Sequence, residues 1–558
     1  MLADGLGVAS DGSRGAADPE PGNAPVEVVS LHWERIQIVL RLRSPERPIQ
    51  APAIALEHID PSVSEPMQAT WTESDGHELL ARFNVMLGPG QMPLRAGRWD
   101  LRVDGGRAVR VPDAVYRTLA GEARRFRYRG GGRYRVTPLI DSEDGALVIQ
   151  IRVRRPRRRR PSWTRQARTW FRRTVWSRTR VFDLLFGAFR ATTKRTGQRV
   201  LFTSDSHSTL DGNLAIIHAR MVERGLDAEY ELKTLFKPGI GHPRRWRDRL
   251  RLPRLLARAD VILIDDYQPV IYRLPPDPEQ RIIQLWHASG AFKTVGYSRI
   301  GKPGGPSPYA TRHKNCTHAI VNGKHDVPYY AEAFGLPEDR VVPVGIPRMD
   351  RFFDPVQHRA GREMALRAFP AIEGRTVILF APTFRGGGPR SAFYDYPLID
   401  WAALHEACVA RDAVTIVKMH PYVRTEPPIP QRFRDRIVDG SKASIDVNDL
   451  LFAVDVLVTD YSSIVFEFST LLRPMLFYAY DLEQYVAGRG FYVPFEEFVP
   501  GRIVRTFDEM IDAIRREEYD ADKVAAFAAR HFDHFDGRAT DRIIDQLILA
   551  REHASDVG

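Results

Sequence analysis

The chain has 558 residues, more than one domain usually holds, so two or three domains are expected. Its hydrophobic share of 43% and charged share of 27% are ordinary for soluble globular proteins, and its two cysteines exclude a disulfide framework and a cysteine-rich metal site. The formal net charge of +11 is unevenly placed, because residues 152–180 hold a dense arginine run and no acidic residue.

Residues 1–25 are rich in Gly, Ala, Asp and Ser without periodicity, which predicts a disordered tail. They lack the basic region followed by an apolar one that marks a signal peptide. No apolar stretch of the chain approaches the roughly 18 residues that cross a bilayer. Because Cys316 and Cys408 also point to a reducing compartment, we expect the protein to stay inside the cell.

Residues 26–153 consist of short alternating segments, such as 36–42 and 146–153, separated by Gly and Pro. This pattern is typical of an all-β accessory domain, and we predict a β-sandwich.

Residues 154–195 form a basic, aromatic segment in which arginines are interleaved with Trp163, Trp170 and Trp176. An amphipathic helix of this composition suits the surface of an anionic membrane, with guanidinium groups on lipid headgroups and rings in the acyl boundary. A solvated linker is the alternative. Nucleic-acid binding is not expected, because no recognisable nucleic-acid module accompanies the charge.

After residue 195, continuous apolar segments alternate with helical ones, which predicts parallel strands covered on both faces. A break near residues 353–355 divides this region into two α/β domains, 196–354 and 355–550. Ligands bind at the carboxyl ends of such strands. Polar motifs come directly after several predicted strands, at His287, residues 383–386, His420 and residues 460–463.

Each of these motifs allows a functional and a structural interpretation. A neutral histidine can act as a general base near pH 7, but it can also cap a strand. Ser462 and Ser463 open a predicted helix, where they can hold a phosphate or serve as an N-cap. Arg348 and Arg385 can bind phosphate in a bidentate manner or form ordinary ion pairs, and Lys293 is a weaker candidate.

Other features point away from cofactors. No Walker A loop, no GxGxxG after a strand and no metal-ligand spacing is present, so neither a cofactor nor a metal is expected. We assign Asp265 and Asp266 to loop capping, because adjacent strand residues point to opposite faces. Asp446 is expected to be an N-cap.

A series of motifs then resembles a known family. The motifs are WHxxGxxxKxxG at 286–296, GxPRxD at 345–350, APTxR at 381–385, KxHP at 418–421 and TDYSSxxFEF at 459–468. In order and spacing, over about residues 200–535, they resemble the CDP-glycerol glycerophosphotransferases, the teichoic acid primases and polymerases of bacterial cell walls. Two departures are Ala288 after the histidine, where glycine is more frequent, and Glu467, where aspartate is usual.

The resemblance implies an α/β fold of GT-B type, in which two Rossmann-like domains face a cleft, preceded here by the small all-β domain. It implies transfer of glycerol phosphate, or another polyol phosphate, from a CDP-activated donor to a hydroxyl of a lipid-linked or polymeric envelope acceptor, with release of CMP. His287 is then the base, and His420 contacts the pyrophosphate or protonates the leaving group. The implied donor-binding residues are Lys293, Arg348, Thr383, Arg385, Asp460, Ser462 and Ser463.

The expected partners are CDP-glycerol or a related CDP-alcohol, the acceptor, and an anionic membrane surface, with no nucleic acid. The expected location is the inner face of the cell membrane, held there peripherally. Two alternatives stay open: a GT-B nucleotide-sugar glycosyltransferase of capsule synthesis, and a non-catalytic envelope scaffold. The sequence does not distinguish glycerol from ribitol phosphate, or a primase from a polymerase.

Overall fold

The computed structural model describes residues 26–44, 54–73, 77–89, 92–103, 109–112, 115, 118–119, 122–128, 132–141, 145–154, 178–238, 242–302, 305–313, 315–386 and 391–550. The predicted tail and the three tryptophans of the basic segment lie outside these ranges. The chain divides into a first unit, Met1–Arg158 with Ser307–Tyr309, and a second unit, Arg159–Pro306 with Ala310–Gly558.

The first unit is built from strands, as predicted for this region. One sheet has the order β5-β6-β2-β1-β8 and the other β4-β3-β7-β11-β10-β9. The strands are β1 Val26–Glu34, β2 Gln37–Arg43, β3 Ile54–His58, β4 Met67–Gln68, β5 Thr70–Glu73, β6 Glu78–Asn84, β7 Gly97–Val103, β8 Val109–Arg110, β9 Arg124–Tyr128, β10 Gly132–Ile140 and β11 Leu147–Arg154. Alternate side chains of β10 are buried, and the buried Tyr134 hydroxyl donates to the Leu94 carbonyl at 2.7 Å.

The first half of the second unit contains a parallel sheet of order β13-β12-β14-β15-β16-β17. Its strands are β12 Arg199–Ser204, β13 Glu231–Phe236, β14 Val261–Ile264, β15 Arg281–Gln284, β16 His318–Ile320 and β17 Val341–Val342. Its helices are α1 Arg178–Thr192, α2 Gly212–Glu223, α3 Trp246–Arg258 and α4 Val327–Phe334. Every residue of β14 is buried, as expected for a central parallel strand with both faces covered.

The second half contains a parallel sheet of order β20-β19-β18-β21-β22-β23. Its strands are β18 Thr376–Phe380, β19 Ala413–Val417, β20 Ile437–Asp439, β21 Val456–Thr459, β22 Met475–Tyr478 and β23 Arg502–Val504. Its helices are α5 Pro355–Ala368, α6 Trp401–Ala410, α7 Val447–Leu451, α8 Ile464–Ser469, α9 Leu482–Arg489, α10 Phe495–Phe498, α11 Phe507–Arg516, α12 Asp522–His531 and α13 Ala539–Arg542, followed by a π-helical turn Ile543–Ile548. Asp354 caps α5 at the predicted break between the halves.

The C-terminal elements return to the first half. Arg220 donates to both carboxylate oxygens of Asp541 at 2.9 Å. The Arg281 guanidinium donates to the carbonyls of Leu547 and Ile548, also at 2.9 Å. These contacts join the two halves at the end of the chain. None of the described helices is long and apolar enough to span a membrane.

Candidate active site

The central cavity of the second unit has a volume of about 600 Å³. Its wall is formed by His287, Arg348, residues 381–383, 418–421, 441, 443–448 and 462–464, and Glu467. His287 and Arg348 come from the first half, and the other lining residues come from the second. The cavity is within the range of about 300–1,000 Å³ that is usual for ligand sites.

The strand order explains why the cavity lies here. In the second sheet, β18 and β21 are neighbours, but the chain runs outward from β18 through β19 and returns on the other side through β21. The loops after these two strands therefore separate and leave a crevice at the carboxyl ends, which is the usual ligand position in an open parallel sheet. Thr383 follows β18, and Ser462 and Ser463 follow β21.

His287 is presented to the cavity by an unusual turn. Trp286 has a φ of 54°, a left-handed conformation that is rare for a bulky residue. Two hydrogen bonds hold the turn: the Trp286 N–H donates to Gln284 Oε1 at 3.0 Å, and its carbonyl accepts from Asn213 Nδ2 at 3.0 Å. The following His287 side chain lines the cavity and is 56% exposed.

Asp266 lies behind the His287 ring. His287 Nδ1 is 4.0 Å from Asp266 Oδ1, and Ser206 Oγ donates to Asp266 Oδ2 at 2.6 Å. Partial burial lowers the pKa of His287, with Arg348 acting in the same direction and Asp266 opposing both. The ring is therefore neutral near pH 7, and its Nε2 is the nitrogen turned away from the carboxylate.

The sequence assignment of Asp265 and Asp266 to loop capping was incomplete. Asp266 does accept the Tyr267 N–H at 2.6 Å, as a capping residue would. However, β14 ends at Ile264, so the two carboxylates are on a loop and do not alternate across a strand. Asp266 faces His287, while Asp265 Oδ2 is 3.3 Å from His207 Nε2. The sequence did contain an indication of this pairing, because two acidic residues and a histidine follow strands that end at the same edge of the sheet.

His420 is held differently. Its Nδ1 accepts the Tyr422 N–H at 3.1 Å, which places the proton of the neutral ring on Nε2. Its ring packs against Phe384 and Tyr422, with centroids 4.7 and 4.6 Å away. Burial lowers the pKa of His420, and Lys293 lowers it further. The ring is therefore a neutral hydrogen-bond donor that lines the cavity.

The serine motif lies at the start of α8. Ser463 is the N-cap residue, and Ser462 Oγ accepts the Ile464 N–H at 3.3 Å. Both line the cavity, so the capping and ligand-binding interpretations are compatible here. Asp446 accepts the Asn448 N–H at 2.8 Å, which confirms the predicted cap of α7, and it also lines the cavity.

Arg348 connects the two halves. It donates to the Glu467 carboxylate, which is 4% exposed, and to Ser289 Oγ at 2.9 Å. Ser289 Oγ also donates to Glu467 Oε1 at 2.7 Å. Glu467 Oε2 is buried and has no hydrogen-bond partner in the part of the chain that the structure describes. The wall near Arg348 therefore includes a buried carboxylate oxygen whose hydrogen-bonding capacity is unused among the described residues.

Arg385 and Asp460 are not brought to the cavity wall. The Arg385 guanidinium donates to Asp460 Oδ2 at 2.9 Å and to both oxygens of Asp481 at 2.6 and 2.8 Å. Burial opposes the charge, but the two carboxylates raise the pKa of Arg385 above its usual range. Thr383 does line the cavity, and its N–H and Oγ1 donate to Asp460 at 2.8 and 2.9 Å. In this geometry, Arg385 and Asp460 hold the loop that carries Thr383, and direct contact of either residue with a ligand stays a prediction.

Two lysines lie near the site. Lys293, the predicted candidate, is not part of the cavity wall and has its Nζ 5.3 Å from the Tyr485 ring centroid. Lys418, which sequence reasoning missed, lines the cavity and donates to the Gly440 carbonyl at 3.1 Å. Burial lowers the pKa of Lys418. Its position in the KxHP motif, two residues before His420, was the available signal.

Among the described residues, one group has ligand atoms close enough to hold a metal ion: His325, Asp326 and His531, all within 4.8 Å. His531 Nδ1 is 3.2 Å from Asp326 Oδ1, and the Ala291 N–H donates to Asp326 Oδ2 at 3.3 Å. The group does not line the central cavity, and its buried members satisfy one another by hydrogen bonding.

Residues 186–549 match the family model described as CDP-Glycerol:Poly(glycerophosphate) glycerophosphotransferase. The chain belongs to this family. It is therefore an enzyme, a phosphotransferase of the CDP-glycerol glycerophosphotransferase type, as the motif resemblance implied.

Curated relatives agree with the family assignment. The chain is 40% identical over 437 residues to the teichoic acid ribitol-phosphate polymerase TarK of Staphylococcus aureus, covering 77% of this chain and 85% of that protein. It is 35% identical over 557 residues to TarL of the same organism, also named a teichoic acid ribitol-phosphate polymerase, covering 94% and 99%. The solved wall teichoic acid polymerase TagF has a similar fold, with a TM-score of 0.52 at 21% identity over 69% of this chain and 97% of that one.

Proposed function

We propose that this enzyme transfers ribitol phosphate from CDP-ribitol to a terminal hydroxyl of a lipid-linked or polymeric teichoic acid and releases CMP. The observation that carries the proposal is the central cavity, in which a neutral histidine with a carboxylate behind it faces a wall that suits phosphate. Such a site supplies a base for the hydroxyl and donors for the phosphate oxygens.

The choice of ribitol comes from the relatives. Glycerol phosphate was the default from sequence. Three ribitol-phosphate polymerases match over 67–94% of the chain at 35–40% identity. The glycerol-phosphate primases and transferase match over 52% of the chain at 25–32% identity. The greater coverage and identity favour the larger polyol.

The strand orders support the GT-B interpretation. Counted from the first strand of each half, the orders are 2-1-3-4-5-6 in the first sheet and 3-2-1-4-5-6 in the second. Both are doubly wound arrangements of nucleotide-binding folds. The CDP moiety is proposed to bind at the crevice of the second half, with the acceptor approaching from the first.

The proposed reaction is one displacement at the β-phosphorus. The acceptor oxygen forms a bond to phosphorus as its proton moves to His287 Nε2, and the bond between phosphorus and the CMP oxygen breaks. His420 Nε2–H donates to a phosphate oxygen, where it stabilises charge that grows in the transition state. A positioned base of this kind contributes typically 10²- to 10⁴-fold in rate.

The charges of the cavity suggest an orientation for the donor. Lys418, His420 and the serine loop offer donors on one side, which suits the diphosphate. The unpaired Glu467 Oε2 would repel phosphate, but it can accept a hydrogen bond from a polyol hydroxyl. The polyol is therefore placed towards Arg348 and Glu467, next to His287.

Peripheral attachment to the inner face of the membrane also stays a proposal. Of the apolar side chains on α1, Phe186 is buried in the core of the first half, whereas Leu184 is exposed. We expect binding to anionic liposomes that weakens with added salt, and that weakens further when Trp163, Trp170 and Trp176 are replaced by Ser. Wild-type protein that stays unbound at low salt would contradict it.

A substrate panel tests the proposed function. Purified enzyme with acceptor is incubated separately with CDP-ribitol, CDP-glycerol and nucleotide sugars, and release of CMP or nucleoside diphosphate is measured. We expect CMP release, fastest from CDP-ribitol, and elongated products if the enzyme is a polymerase. Nucleoside diphosphate release from a sugar donor would favour the glycosyltransferase, and no turnover of any donor would favour the scaffold.

A further inference from the structure

A second concave site, here called the side groove, lies at the carboxyl edge of the first sheet. It has a volume of about 680 Å³ and is lined by residues that follow β12, β13 and β14, together with parts of α1 and α3. In the first sheet, β12 and β14 are neighbours while the chain between them passes through β13 on the outside. The side groove therefore lies beside the point where the connections diverge, the usual ligand position in such sheets.

The wall of the side groove is apolar and open to solvent. Trp246 is 67% exposed and Leu250 is 49% exposed, and both are on α3. The other apolar lining residues are Val181, Phe182, Pro243, Leu252, Pro269 and Val270. Contiguous exposed apolar surface of this kind is unusual unless a ligand or partner covers it.

The rim of the side groove is basic. Lys237, Arg249 and Arg273 line it together with Arg244. The Arg244 side chain is only 8% exposed and pairs with Asp205 through Nη2, while its Nη1 is buried and has no partner in the ranges that the structure describes. A buried guanidinium nitrogen without an acceptor is costly, so this position favours an anionic group with free oxygens.

The side groove leads towards the base. Asp205, at its wall, is followed by Ser206, whose hydroxyl donates to Asp266 Oδ2 at 2.6 Å. The other oxygen of Asp266 is 4.0 Å from His287 Nδ1. A molecule anchored in the side groove therefore lies on the first-half side of His287, the side that the proposed function assigns to the acceptor.

We infer that the side groove binds one lipid chain with a phosphate head, the anchor of the acceptor. The apolar wall suits a hydrocarbon or isoprenoid chain, and Arg244 and the neighbouring basic side chains suit its phosphate. This inference rests on the proposed function, because it names the acceptor of that reaction. The occupant of the side groove is a single lipid molecule, and not the surface of a bilayer.

Direct binding tests the inference without turnover. Geranylgeranyl phosphate, geranylgeraniol and inorganic phosphate are titrated into the full-length protein by calorimetry, below the micelle concentration of the lipids. We expect the lipid phosphate to bind at least tenfold more tightly than the alcohol or free phosphate. Leu250→Glu places a carboxylate at an exposed position of the wall and should weaken binding at least tenfold, and Arg244→Gln should weaken it similarly. Equal binding by wild type and Leu250→Glu would overturn the inference.

Val409→Glu is the matched control, because Val409 is 51% exposed on α6 in the other half and should leave lipid binding unchanged. In assays of CMP release, Leu250→Glu should raise the KM for a lipid-linked acceptor at least tenfold and leave the KM for a lipid-free acceptor unchanged. If the protein floats with anionic vesicles but binds no single lipid, the side groove is part of a membrane-facing surface. That result would overturn the inference that the groove binds one lipid molecule. Lipid binding without any CMP release would count against the proposed function alone.

Discussion

The two halves of the second unit each place a histidine three residues beyond a parallel strand, yet they hold the two rings in opposite ways. His287, after β15, has the Asp266 carboxylate 4.0 Å from Nδ1. His420, after β19, has a backbone N–H donating to Nδ1. An acidic neighbour stabilises a ring that gains a proton, whereas a donor on Nδ1 fixes the proton on Nε2. Equivalent positions in similar folds therefore suit different chemistry, a base and a donor.

Among the variants proposed here, His287→Ala should reduce turnover most. Removing the base should lower kcat about a hundredfold or more, with donor affinity little changed, because a base contributes typically 10²- to 10⁴-fold. Single-turnover rates and calorimetric titration with the CDP-polyol check this. Near-normal turnover in this variant would remove His287 from the base role.

His420→Ala should affect donor binding as well as turnover. A hydrogen bond to a charged group is worth about 1.5–3 kcal/mol, so we expect the donor to bind about ten- to a hundredfold more weakly. His420→Gln, which keeps a donor near the same place, is the matched control and should recover part of the loss. Unchanged donor affinity in His420→Ala would place this ring outside the phosphate site.

Asp266→Asn should act through His287. The Asp266 carboxylate, 4.0 Å from His287 Nδ1, stabilises the protonated ring by roughly 1 kcal/mol. Loss of this charge should therefore lower kcat about fivefold. Because Asp266 raises the pKa of His287, its removal should lower that pKa further and move the acid limb of kcat/KM to lower pH. An acid limb that stays in place or moves to higher pH would contradict the pairing.

His313, a buried histidine of the first half, allows an effect on stability to be separated from an effect on catalysis. His313 is buried against Tyr272 and Gln284, and burial lowers its pKa to about 3. In the unfolded chain, the pKa of this histidine is about 6.5. Between about pH 6.5 and pH 3 the unfolded state therefore binds more protons than the folded state, so the free energy of unfolding decreases as the pH falls. Asparagine tolerates the left-handed backbone at this position. In His313→Asn, the decrease in the free energy of unfolding between pH 7 and pH 5 should therefore be smaller than in wild type by about 2 kcal/mol.

Urea unfolding at both pH values measures this difference. His313 does not line the central cavity, so the variant should keep kcat within about twofold of the wild-type value. A parallel loss of stability with pH in wild type and His313→Asn would assign the pH dependence to other groups.

Local pattern was sufficient for much of this structure. Continuous apolar segments predicted buried strands such as β14 and β21, and motifs after the strands placed His287, His420, Thr383 and the serines at one cavity. The reason is that parallel strands bring their carboxyl ends to a common edge.

Ion pairs between residues that are distant in the chain could not be predicted from the sequence. Arg385 looked like a phosphate ligand, because its partner Asp481 is 96 residues away and the ion pair is visible only in three dimensions. The same holds for Arg220 and Asp541, which join the C-terminus to the first half across 321 residues. Lys418 was missed because His420 carried the stronger signal in its motif. The role of Asp266 beside His287 was missed because the sequence placed both aspartates on a strand, whereas they lie on the loop after β14.

Chemical rescue of His287→Ala is the sharpest test of whether His287 is the general base. The missing ring leaves space at a cavity that is open to solvent, so added imidazole can reach the acceptor hydroxyl. We expect a series of substituted imidazoles to restore single-turnover CMP release, with rates that rise as the pKa of the added base rises. The same additives should not help His420→Ala to the same extent. A His287→Ala rate that is independent of added base would contradict the assignment of His287 as the general base.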